Sequence, residues 1–174
     1  MRKKLYFYFM RDNDLNDLPE WDDHRFDDGE GGEAWKPNPT KAACKAMYLQ
    51  WGTVMTVLKA AFDSLNEPDE EDIINKEMIA DEIAMIMNDA HVVAVKIQSS
   101  EVGLYTIRME NASIIRKNAQ FIKISTNSFI IDDLMEPVHR QIIRDEIDNF
   151  RELFKIWVST FEKDEYLDEW GLFI

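Results

Sequence analysis

Three groupings in this 174-residue chain combine residue types and spacing that could do chemistry. The first is Arg108, Glu110, Asn111 and Arg116, where Arg108 interrupts an apolar stripe of helical period. A buried arginine needs a partner, and Glu146 or Asp148 would supply one from the last helix. The expected role is an ion pair that fixes helix register; the alternative is an inward-facing anion site. The second grouping is Glu82 and Asp89, seven residues apart and so on one helix face. Magnesium needs few carboxylates when substrate phosphates complete its shell, so two would suffice. A solvated helix face accounts for the same pair more simply. The third is Glu136-Pro137-Val138-His139. It matches one Glu-x-x-His motif of a carboxylate-bridged di-iron bundle, which needs two such motifs and two further glutamates. Asn88 stands three residues before His91, and His24 lies in an acidic stretch, so the second motif is missing.

Other metal and nucleophile signatures are incomplete. Asp12-Asn13-Asp14-Leu15-Asn16-Asp17 opens like a calcium loop. However, Asp17 occupies the position of the turn glycine and Asp23 that of the bidentate glutamate. Arg116, Arg140 and Arg144 lack a histidine at the spacing of a HEPN-type ribonuclease motif. No glycine-rich phosphate loop or zinc-ligand spacing is present. The expectation is therefore no cofactor, with catalytic residues unassigned and Glu82 and Asp89 as metal ligands in the alternative reading alone.

The elements that would position these residues are four stripes of apolar residues alternating three and four apart. They run Cys44–Leu65, Ile79–Ile97, Arg108–Ile122 and Ile143–Phe161. Such spacing keeps one helix face on its neighbours and fits helices crossing at about 20°. The first helix begins with Asn38 as N-cap and Pro39 in the first turn, and Pro68 enforces its end. Asp69, Glu70, Glu71 and Asp72 suit the positive end of the second helix, which runs to about Gln98. Ser100 is available as a cap for a third helix over about 103–123. A hairpin pairing 92–98 with 104–109 is the alternative there, and the period favours helix. Residues 127–133 read as a loop, and Pro137 as the first-turn proline of the fourth helix. Residues 5–10 read as an extended aromatic arm, followed by an acidic loop to residue 38. The expected fold is an all-α, up-and-down antiparallel four-helix bundle over 39–165. An arm and loop (1–38) precede it and an aromatic tail (166–174) follows, all in one domain.

Composition bounds the partners. Thirty-four acidic against 20 basic side chains give a net charge of −14, the reverse of a phosphate-backbone binder. The lone Cys44 precludes an internal disulfide and reads as a small buried hydrophobe. The basic start, Met1-Arg2-Lys3-Lys4, precedes an apolar run too short and aromatic for a signal peptide. No stretch approaches the ~20 apolar residues of a membrane span. The reading is a cytoplasmic protein without membrane or nucleic-acid contacts, which binds a protein partner or itself, with a homodimer as the intermediate case.

Two segments, 104–116 and 143–154, together with the ending Asp168-Glu169-Trp170-Gly171-Leu172-Phe173, resemble a group of small acidic helical proteins from Bacteroidetes. That resemblance implies helix over 104–119 and carries no activity. A weaker comparison is with all-α nucleotide pyrophosphohydrolases of the MazG kind, which pair Glu-Glu-x-x-Glu with Glu-x-x-Asp. Here Ile74 and Met85 replace the closing acids. The expected function is a non-enzymatic protein-interaction or regulatory module. A metal-dependent pyrophosphohydrolase and an acidic nucleic-acid mimic are the alternatives.

Overall fold

A computed structural model describes residues 18–25, 38–66, 73–166 and 168–173. Four long helices form an all-α bundle: α1 (Pro39–Asp63), α2 (Ile73–Gln98), α3 (Tyr105–Ser125) and α5 (Pro137–Ser159). A single-turn helix, α4 (Ser128–Ile131), joins α3 to α5. The arm at 5–10, most of the acidic loop, and Asp69 to Asp72 lie outside the described residues.

The starts follow local chemistry. The Asn38 side chain accepts from the Lys41 amide at 2.9 Å, and Pro39 occupies the first turn of α1. The cap thus satisfies an amide with no partner inside the helix, and proline lacks only a donor that would go unused there. Pro137 does the same for α5.

Helix α3 begins differently from the expectation. Its N-cap is Leu104, without a side-chain bond, and the free amide of Tyr105 donates to Asp164 Oδ2 at 2.7 Å. A carboxylate from beyond the end of α5 therefore serves the positive end of α3. Ser100 is instead fully buried and turned back onto α2, donating to the Lys96 carbonyl at 2.7 Å. Residues 92–98 and 105–109 are helical, so the hairpin alternative is not adopted.

Cross-helix bonds fix which ends meet. Thr40 donates to the Thr160 carbonyl, whereas Ser64 meets His139, so α1 and α5 run in opposite directions. Cys44 reaches the Ile97 carbonyl and Trp51 Nε1 the Ala90 carbonyl, which reverses α2 against α1. Asn111 meets Ser100 and Ser128 meets Glu82, so α3 and its extension reverse against α2.

All four stripes supply the core. Met47, Trp51, Val54 and Leu58 of α1 are fully buried, as are Ile86, Ala90, Val93 and Ile97 of α2. Ile115 and Ile122 face them from α3, and Ile143, Phe150 and Trp157 from α5. Trp51 is the hub. Its ring stands 4.7 Å from that of Phe150, and its indole N–H, which needs a partner when buried, donates to Ala90 at 2.8 Å. Full burial of each such side chain contributes about 1.5–3 kcal/mol.

Where a loop was expected at 127–133, α4 seats Phe129 against Phe62, with ring centroids 5.4 Å apart. The amides of Leu134 and Met135 both donate to the Phe129 carbonyl, at 2.8 and 2.9 Å. One helical turn is too short to show a period, which is why the spacing does not reveal it. Trp21 packs at 5.3 Å on Tyr48, whose hydroxyl donates to the Pro19 carbonyl at 2.7 Å. This short piece of the acidic stretch is thereby pinned to α1.

Candidate functional site

The corner between α2 and α3 gathers the polar residues of the third stripe. Arg108 Nε donates to the Ser100 carbonyl and its Nη2 to the Glu101 carbonyl, each at 3.3 Å. Three residues on, Asn111 is buried and donates to Ser100 Oγ at 2.9 Å and Ser99 Oγ at 3.3 Å. A cation at a helix C-terminus meets the negative end of the dipole, and these carbonyls have no later amide to bond. Arg108 therefore closes α2, and burial lowers its pKa, opposed by the nearby Cys44 and Asp164.

The partners expected for Arg108 are occupied elsewhere. Asp148 takes a short bond from Lys123 and an ion pair from Arg151 at 3.0 Å. The Lys123 bond, opposed by desolvation and aided by the neighbouring cations, holds the Asp148 carboxyl below its ordinary range. Glu146 accepts from Gln50 of α1 at 2.7 Å. Spacing along one helix could place Arg108 on the seam but could not tell that backbone carbonyls seven and eight residues back, in the connection from α2, would reach it before a carboxylate. Glu110 and Arg116 are exposed and do not join the cluster.

One participant was missed. Glu101 is 2% exposed, and its Oε1 lies 3.3 Å from Lys41 Nζ in the first turn of α1, without hydrogen-bond alignment. Lys41 also donates to the Asp23 carbonyl at 2.6 Å. Nothing in the sequence distinguishes Glu101 from a turn residue, since its burial depends on α1 crossing the corner. Cys44 lies beside this pair. Desolvation, reinforced by Glu101 and opposed by Arg108, pushes its thiol up to about 12. At neutral pH it is a protonated, buried thiol donating to Ile97, the opposite of an activated nucleophile. Every strong donor here is turned onto the protein itself, so the corner is built as a structural lock.

Both carboxylates of the alternative reading lie on α2. Glu82 accepts from Ser128 Oγ at 2.6 Å, and Asp89 lies two turns along α2. Among the described residues no group of three histidine, cysteine, aspartate or glutamate side chains could hold a metal ion. Glu136 is the exposed N-cap of α5, and His139 meets Ser64 at 3.1 Å. No described helix is long and apolar enough to cross a membrane.

The C-terminal residues form a built turn. Asp168 accepts the amides of Trp170 at 3.0 Å, Leu172 at 2.6 Å and Phe173 at 3.0 Å. Gly171 adopts φ 68°, a conformation glycine enters without strain, and its amide donates to the Asp168 carbonyl at 3.0 Å. The turn holds Trp170 outward at 90% exposure, with Leu172 and Tyr166 also exposed. Desolvation tends to raise the Asp168 pKa, but the three amides prevail and hold it low.

No protein-family model, curated protein or solved structure matches the chain.

Proposed function

We propose that the chain is a non-enzymatic protein-interaction module, in which the helical bundle presents the C-terminal aromatic turn to a protein partner. The observation that carries this reading is Trp170, held 90% exposed by a turn with three amides on one carboxylate. A large aromatic kept off its own core is a costly surface unless another surface covers it, and tryptophan is enriched among residues that dominate binding energy. Asp164, Glu165, Asp168 and Glu169 flank the aromatics in sequence, so the partner chemistry that fits is an apolar pocket with a basic rim. A cytoplasmic location accords with the single, buried, unpaired thiol of Cys44.

The test uses the full chain and its Trp170→Ala variant as baits in the native host, with each captured protein identified, purified and titrated. The expected result is an identified partner whose affinity falls at least tenfold with Trp170→Ala. Equal capture and equal affinity by both baits would remove the turn from the interaction. Sedimentation of each form separates self-association from a different partner.

A further inference from the structure

We infer that Arg140 and Arg144 of α5, converging on the Asn127 side chain, form a binding site for a phosphate group. Arg140 Nη1 lies 3.2 Å and Arg144 Nη1 3.4 Å from the same acceptor, Asn127 Oδ1. Two guanidinium groups thus lie within hydrogen-bond reach of one neutral oxygen. Neither forms an ion pair with a carboxylate among the described residues, and the buried Nε of Arg140 has no partner at all. Asp148 senses Arg144 but is bonded to Lys123 and paired with Arg151. Glu82 is bonded to Ser128, and Asp132, Asp133 and Glu136 are exposed on the connection between α4 and α5.

Such an arrangement brings like charges together and leaves donors over. A neutral amide oxygen offsets little of that repulsion, whereas an oxyanion offsets it directly and takes bidentate bonds from each planar fork. Both arginines are half-buried, so the approach is partly screened from water but not closed. Arg140 also lies in the first turns of α5, where the helix dipole adds positive potential. A tetrahedral oxyanion can give separate oxygens to each arginine, which a single planar acceptor cannot. The net charge of −14 repels anions generally, so occupancy here depends on these two side chains and weakens with salt.

The experiment titrates inorganic phosphate into the full chain at constant pH and ionic strength, with chloride as the exchanged anion. Binding is read by 31P line broadening and by thermal shift. Arg144→Gln and Arg140→Gln remove the site. Arg151→Gln removes one charge from the same helix without touching it. Arg144→Lys keeps the charge and loses the fork, and so serves if a neutral variant does not fold. The expected result is saturable binding that is at least tenfold weaker in Arg144→Gln and several-fold weaker in Arg144→Lys, but within twofold of the parent in Arg151→Gln. A phosphomonoester binding more tightly than inorganic phosphate assigns the group to a larger molecule; the reverse order assigns the free ion. The absence of saturable binding to the parent chain, or equal losses in Arg144→Gln and Arg151→Gln, would overturn the assignment.

Discussion

Lys41 Nζ lies 3.3 Å from a Glu101 carboxylate that is shielded from solvent, so a partly exposed cation faces a buried anion. Removing one member of such a pair leaves an uncompensated buried charge, at about 3–5 kcal/mol, while replacing both with apolar groups is often neutral. Because Lys41 is itself partly exposed, the loss for Lys41→Met should fall at or below the bottom of that range, about 2–3 kcal/mol. Chemical denaturation of Lys41→Met, Glu101→Leu and the double variant checks this. The double variant should recover most of the loss.

Cys44 makes alkaline stability readable. Its folded-state pKa is raised, from about 9 to about 12, so the neutral thiol favours the fold. That contribution is complete below pH 9 and is lost as pH rises from 9 toward 12, when the unfolded chain ionises first. At about 1.4 kcal/mol per pH unit, the loss by pH 11 is roughly 3 kcal/mol. Cys44→Ala should be less stable at pH 7 yet decline less steeply between pH 9 and 11. Parallel denaturation curves over that window would contradict the assignment.

Arg108 and Asn111 act on the same corner from α3 and should be coupled. Each truncation to alanine is expected to cost about 1–2 kcal/mol, because buried carbonyl and hydroxyl groups lose their donors. A double-mutant cycle should show a coupling of at least 0.5 kcal/mol, on the order found for residues that share partners. Neither substitution should alter phosphate binding, since the Asn127 cluster belongs to the opposite end of α3.

Asp168 predicts an acid transition confined to the C-terminal turn. Its pKa is held below the ordinary value by three amides that outweigh desolvation, so the turn is fully supported above the usual carboxylate range. Support fades as pH falls through the lowered value. The amide resonances of Trp170, Leu172 and Phe173 should therefore move together in an acid titration, and Asp168→Asn should abolish the shared midpoint.

The four helices were legible because each stripe runs for several turns and its burial repeats at helical period. Trp51, Ile97, Ile115 and Phe150 all lie inward, where the spacing puts them. Arg108 was legible as an exception but not in its role. Its bonding depends on the path of residues 99–101, which have no period. Glu101 was invisible for the same reason, since α1 buries it from a distance of some sixty residues in sequence. Asp164 capping α3 and Asn127 drawing in Arg140 and Arg144 are likewise contacts between elements, and local patterns carry no record of them.

Presentation of Trp170 for docking is read from the affinity of the captured, purified partner for the full chain and for Trp170→Ala. Loss of a docked tryptophan should cost about 2 kcal/mol or more, close to thirtyfold, while the stability of the bundle changes by less than about 0.5 kcal/mol. An unchanged affinity with an intact bundle would contradict the account.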